Sequence, residues 1–188
     1  MTASDASPDA GEPEEIRWQG KFITAKTRGR WEYVNRARGI RAAVILAIEE
    51  SPASGRHVIL VEQYRVPLGR PCLELPAGLV GDDAAHDGEL PIAAARRELE
   101  EETGYHAERW EDLGEFWSSP GMVSESFTLL KATGLTKVGE GGGTPGENIT
   151  VHRVPLERIA EAVAEHRARG HAIDVKLLLL LGAGLIGG

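Results

Sequence analysis

Between Pro91 and Gly104 the chain reads as one helix with both ends written into the sequence, and the stretch from Glu98 to Glu102 carries four carboxylates in five positions. Pro91 suits the first helical position and Gly104 a left-handed stop just past the last turn. Acids are poorly placed there. Like charges three and four apart cost about 0.2–0.5 kcal/mol each on a helix surface, and carboxylates in a last turn oppose the negative end of the helix dipole. Such a helix is either a plain solvated face or a site for positive charge, and a bound divalent cation would reverse both penalties.

At about 100° per residue, Ile92, Ala95, Leu99 and Thr103 form one stripe that should face the core. Glu98 and Glu102 fall about 40° apart at one border of that stripe and Glu101 about 60° beyond Glu98, while Glu100 points away. Glu98 and Glu102 are therefore the leading metal-ligand candidates. Glu101 is an outer or shared ligand, Arg97 orients the carboxylates, and Glu100 is solvated.

Around this helix the apolar patterning gives strands near 21–26, 31–34, 42–48, 57–64, 114–118, 126–132 and 149–154, with further helices near 156–169 and 173–181. That order predicts an α/β/α sandwich with a mixed sheet, preceded by a small N-terminal antiparallel β segment. Residues 1–15, rich in Ala, Ser, Pro, Asp and Glu, are expected to form a disordered tail without signal-peptide features, in a cytoplasmic protein. Residues 16–40 form the N-terminal β segment and 41–188 the main domain. The apolar stretch 177–186 has about half the length needed to cross a bilayer and reads as a buried terminal helix. A length of 188 residues suits one domain with a sizeable core. Net charge of −8 without a basic cluster argues against a nucleic-acid groove. Cys72, the single cysteine, excludes an internal disulfide. The six histidines are scattered without zinc-ligand spacing, so no metal site is expected on them.

Seven residues after Glu89 come Arg97-Glu98-Leu99, then Glu101-Glu102, Gly104 and Tyr105. This spacing resembles the second half of the Nudix box at every specified position. The first half departs from it: Gly78 stands ten residues before Glu89 in place of five, so 81–86 look like a lengthened surface loop, which costs little. The segments Val61–Gly69, Glu74–Leu79, Arg30–Arg36 and Ser119–Glu125 are similar to the ADP-ribose pyrophosphatase branch of that family. Gly146-Glu147-Asn148-Ile149 resembles its mobile acidic loop.

The resemblance implies a metal-dependent hydrolase acting on the pyrophosphate bond of a nucleoside diphosphate sugar, ADP-ribose first. It implies Mg²⁺ or Mn²⁺ held by Glu98, Glu102, Glu101 and the backbone carbonyl of Ala77, ions that suit carboxylate oxygens and bridge phosphates. Catalytic roles fall to Arg97, Glu101 and Glu147, the last as base for the attacking water on a flexible glycine loop, with Glu140 an alternative. Phe22 and Trp31 would sandwich the adenine, Arg36 and Arg65 would meet phosphate or ribose oxygens, Gly121 and Met122 belong to the substrate-binding stretch, and Glu125 would accept from the terminal ribose. A homodimer packed through the N-terminal strands is implied as well. The alternatives are another substrate such as GDP-mannose, or a nucleotide sensor that keeps the fold without turnover.

Overall fold

The computed structural model describes residues 7–81 and 88–186; most of the lengthened loop expected at 81–86 lies outside the described residues. Three strands open the chain, β1 (Glu14–Gln19), β2 (Ile23–Arg28) and β3 (Trp31–Arg36), and pair as an antiparallel meander. Within the expected tail 1–15, residues 8–11 make a 3₁₀ turn and β1 begins at Glu14, while residues 1–6 lie outside the described residues. All six residues of β1 are exposed, so its alternating Ile16 and Trp18 mark no buried face. Pairing sets it instead: Glu14 accepts from Lys26 Nζ at 2.6 Å and from Tyr33 Oη at 2.5 Å across the meander.

The main sheet is built on β4 (Arg41–Ser51), whose first half pairs parallel with β9 (Ser126–Lys137) and antiparallel with β7 (Ala77–Val80). Its second half passes to β5 (Gly55–Arg65). That strand pairs near its start with β4 and near its end with β6 (Arg70–Glu74), while β10 (Thr150–Pro155) runs along its other edge. The sheet therefore forks between β4 and β6, and Glu74, Leu75, Pro76 and Ala77 cross the fork. The Pro76 carbonyl accepts the Ile45 amide at 2.8 Å, which anchors the crossing.

Side-chain alternation along β4 and β5 makes two cores. Ala43, Ile45, Ala47 and Ile59 pack against Ala94, Ala95 and Leu99 of α1 (Pro91–Thr103). Val44, Ile48, Val58 and Leu60 face the other way, against Ile159 and Val163 of α2 (Ile159–Ala168) and Leu181 of α3 (Leu178–Ile186). Each such aliphatic side chain contributes about 1.5–3 kcal/mol when fully buried. The result is the expected sandwich with helices on both faces of a mixed sheet. A two-residue strand, β11 (Ala172–Ile173), closes the edge beside β6.

Two elements exceed their sequence expectation. Strand β8 (Tyr105–Trp117) begins nine residues before the stretch expected at Gly114, and it bends where its register with β9 shifts between Asp112 and Glu115. Gly114, at φ 100°, supplies the backbone for that bend. The 3₁₀ turn Val175–Leu177 precedes α3, which continues to Ile186. Among the described residues no helix is long and apolar enough to cross a membrane.

Candidate active site

Helix α1 ends as its sequence dictates: Gly104 is left-handed at φ 69° and its amide donates to the Glu100 carbonyl at 2.9 Å. The buried face is wider than the predicted stripe and turned toward the acids. It includes Ala94 and Glu102, so Glu102 lies inside the buried face while Glu98 stays half-buried at its border, and Glu100 and Glu101 are exposed. Glu102 is only 4% exposed and its Oε2 accepts the Ala77 amide at 3.0 Å, which ties the helix to the end of the sheet fork. Burial pushes the Glu102 carboxyl up to about 8, against the lowering by the Ala77 amide, and the negative charges of Glu98 and Glu147 add to the rise. Burial also raises Glu98, against the lowering by Arg97.

Arg97 is the organiser. Its Nη1 lies 2.7 Å from Glu98 Oε1 and 3.4 Å from Glu101 Oε2, and its Nη2 lies 3.4 Å from Glu89 Oε2 and from the Leu79 carbonyl. Burial opposes its charge, yet the hydrogen bonds it donates to Glu89 and Glu98 hold the guanidinium above its ordinary value. Glu89, set back by the long loop, thus keeps a place in the cluster, accepting also from the Gly81 amide at 3.4 Å. Gly78 explains its own identity. A Cβ there would sit 2.0 Å from Glu98 Cδ, so only glycine lets the Glu98 side chain lie against the strand.

The glycine-rich segment is docked where sequence suggested a mobile loop. The Gly142 amide donates to the Glu102 carbonyl at 2.8 Å and the Gly143 amide to the Glu101 carbonyl at 2.9 Å, while Lys137 Nζ meets the Thr103 carbonyl at 2.9 Å. These bonds satisfy carbonyls that a helix terminus otherwise leaves open. Gly141, at φ 72°, passes so close that a Cβ would meet the Thr103 carbonyl carbon at 2.4 Å. Beyond this dock the chain turns, the Thr144 amide donates to Glu147 Oε2 at 2.6 Å, and Glu147 faces the acids.

A cavity of about 590 Å³ opens at the fork, lined among others by Glu98, Glu102, Glu147, Ala77, Arg65, Arg36 and Glu125. Arg65 is held bidentately by buried Glu74, Nε to Oε1 at 2.6 Å and Nη2 to Oε2 at 2.7 Å, and Arg36 pairs with Glu125. The two expected phosphate-binding arginines therefore do share the acid cavity, each already paired with a carboxylate. Glu101 and Glu140 do not line it. Trp31 and Gly121 line a separate cleft of about 460 Å³ between β3 and the loop Ser119–Ser124. That loop is fixed to β3 by reciprocal bonds, Val34 amide to Met122 carbonyl and Ser124 amide to Val34 carbonyl, both 3.0 Å. Phe22 and Met122 are exposed and line neither cavity. Within one chain the two expected adenine-stacking residues are thus not brought to the acids.

Sequence reading passed over Glu74, Lys176 and Asp174, which all line the acid cavity. Glu74, preceding the Leu75-Pro76 crossing, carried a usable signal as an acid at a strand end. Lys176, stacked over Phe127 at 5.6 Å, arrives from the far end of the chain and carried none. Cys72 is buried, with its thiol pushed up to about 12 by burial, which leaves it inert. The histidines require a correction, since His166 and His171 converge with Glu62 into a group of metal-binding geometry.

The NUDIX domain family model matches residues 38–174, which run from the turn before β4 through β11 and contain the whole acid cluster. The chain belongs to the NUDIX domain family. This Nudix chain is 37% identical over 134 residues to an ADP-sugar pyrophosphatase of Mus musculus, a match covering 64% of this chain and 59% of the mouse protein. It is 35% identical over 152 residues to a GDP-mannose pyrophosphatase of Cronobacter sakazakii, covering 77% and 72% of the two chains. Its fold matches a solved structure titled as an ADP compounds hydrolase with a TM-score of 0.65 at 22% identity, over 93% and 92% of the two chains. That likeness establishes the Nudix fold with its small N-terminal sheet.

Proposed function

We propose that this chain hydrolyses the pyrophosphate bond of ADP-ribose to AMP and ribose 5-phosphate, with Mg²⁺ or Mn²⁺ as cofactor. The observation that carries the reading is the pair of half-buried Glu98 and buried Glu102, held by Arg97 and the Ala77 amide at the wall of a cavity that also holds Glu147 and two arginines. The donor set fits the ion. Two carboxyls raised by burial, each raised further by neighbouring negative charge, relax when a hard cation is set among them. Glu98, Glu102 and the Ala77 carbonyl would hold it, with Glu101 outside them. When bound, such an ion neutralises diphosphate charge and makes water more acidic.

The chain's own groups do the rest. Glu147 accepts a proton from the attacking water as its oxygen bonds to one phosphorus, and the bridging P–O bond breaks with the oxygen leaving on the other phosphate. Arg97 touches no substrate and acts by positioning Glu98. Arg65 and Arg36 offer guanidinium donors to phosphate or ribose oxygens, and Glu125 accepts from a ribose hydroxyl. Trp31 and Phe22 stack the adenine across a homodimer in the cytoplasm. Support for that assembly is the exposed N-terminal sheet, where Ile16 is 59%, Trp18 57% and Phe22 69% accessible.

AMP release from ADP-ribose at millimolar Mg²⁺, with and without EDTA, tests the reading against GDP-mannose. Metal-dependent turnover strongest with ADP-ribose supports it. Preference for GDP-mannose, the second reading favoured by the 35% identical relative, would keep the acid assignments and discard the adenine pocket. Tight ADP-ribose binding without AMP release would make the protein a sensor.

A further inference from the structure

Four side chains from separate stretches of the chain meet on the face of the sheet opposite α1. Glu62 comes from β5, His152 from β10, His166 from α2, and His171 from the turn before β11. Glu62 follows Val58 and Leu60 on the strand face that packs against α2, and none of the four residues lines the acid cavity. Glu62 Oε2 is 3.2 Å from His166 Nε2, 3.2 Å from His171 Nδ1 and 3.4 Å from His152 Nε2. The rings of His152 and His166 stand nearly perpendicular with centroids 5.0 Å apart, and those of His166 and His171 lie at 5.7 Å.

Those distances match three edges, all meeting at Glu62 Oε2, of a coordination tetrahedron, in which ligand atoms about 2.0–2.1 Å from a shared Zn²⁺ lie about 3.3 Å from one another. The ligand atoms of Glu62, His166 and His171 all fall within 4.8 Å of each other, and His152, outside that group but 3.4 Å from Glu62 Oε2, would supply the fourth ligand on moving inward. His166 is also oriented as a ligand would be. Its Nδ1–H donates to the Ala162 carbonyl at 2.7 Å, which fixes the tautomer and leaves a bare Nε2 lone pair. That Nε2 is buried, has no hydrogen-bond partner and faces a carboxylate oxygen, and His152 Nε2 is buried and unpartnered beside the same oxygen. Lone pairs aimed at one another across about 3 Å call for positive charge between them.

We propose that Glu62, His152, His166 and His171 form a second metal site of the zinc class, which ties β5, β10 and α2 together on the face away from the acid cavity. Three imidazole nitrogens and one carboxylate oxygen suit a borderline transition ion, whereas Mg²⁺ prefers an all-oxygen set. The two sites therefore select different ions. With His152 drawn in, all four positions of the tetrahedron would be taken by protein, which is the pattern of a structural ion.

The test adds Co²⁺ to the full chain after EDTA treatment and reads the visible d–d band of a tetrahedral site. The expected result is a strong band displaced by one equivalent of Zn²⁺, lost in His171→Gln and in His152→Gln, and kept in Glu102→Gln. Zn²⁺ should raise the melting temperature of the parent chain and of Glu102→Gln, and leave that of His171→Gln unmoved. Two histidine variants are used so that one misfolding does not end the test. Absence of a tetrahedral band in the parent chain would overturn the proposal. So would a band that survives both histidine variants, or one that disappears in Glu102→Gln.

Discussion

Replacing Glu102 by Gln should make the metal-free protein more stable while removing its activity. The amide keeps the shape and can still accept from the Ala77 amide, but it never carries charge. In the parent chain Glu102 is 4% exposed and its carboxyl is pushed up to about 8 from an ordinary 4.5. At about 1.4 kcal/mol per unit, that interval caps the cost of the buried charge at about 5 kcal/mol, and relaxation around the group brings the expected gain to about 2–4 kcal/mol. The sign follows from proton counting. Below pH 4.5 both folded and unfolded carboxyls are protonated and the two proteins match. As pH rises toward 8 the folded parent keeps a proton that its unfolded chain has lost, so its stability falls relative to the variant, and above 8 the gap is constant. Thermal or urea unfolding from pH 4 to 9 in EDTA reads the gap, at about 2–4 °C per kcal/mol for a chain of this size. Mg²⁺ at a hundred times its Kd should then return about 2.7 kcal/mol to the parent and nothing to the variant. A variant less stable than the parent at pH 8 without metal, or a gap independent of pH, would refute the reasoning.

Other residues give sharper functional contrasts. Glu147→Gln should lower kcat at least 100-fold with KM nearly unchanged, as expected for loss of a general base, and unaltered turnover would remove that role from Glu147. Gly78→Ala places a methyl 2.0 Å from Glu98 Cδ. Because the clash is with a flexible side chain, stability should change by less than about 1 kcal/mol, while Mg²⁺ titration of activity shifts at least tenfold to higher concentration. Gly104→Ala clashes instead with the Gly139 carbonyl oxygen at 2.2 Å in a left-handed turn. It should cost at least about 2 kcal/mol in urea denaturation and depress activity by shifting the segment that carries Glu147.

The sequence by itself determined α1, its cap and the identity of its acids, because helix period, a proline start and a glycine stop act within a few residues of each other. It determined the two-faced main sheet for the same reason, since alternation along β4 and β5 is a local pattern. The strands read from local pattern began at 21 and left out β1, whose residues are all exposed and which is held by cross-strand pairs from Glu14 to Lys26 and Tyr33. Nor could local pattern show that the glycine segment caps α1, because the carbonyls of Glu101 and Glu102 meet amides forty residues away only after β8 and β9 have paired. Tertiary structure alone set which acids are buried. The helical wheel put Glu98 and Glu102 at a border, and the fork between β4 and β6 brought Ala77 and Gly78 against them, which buried Glu102 and left Glu98 half-buried. It alone also gathered Glu62, His152, His166 and His171, four side chains with no common spacing, around one carboxylate oxygen. Charge and coordination act through space at a few ångströms, so their partners are fixed by how strands and helices pack and not by position along the chain.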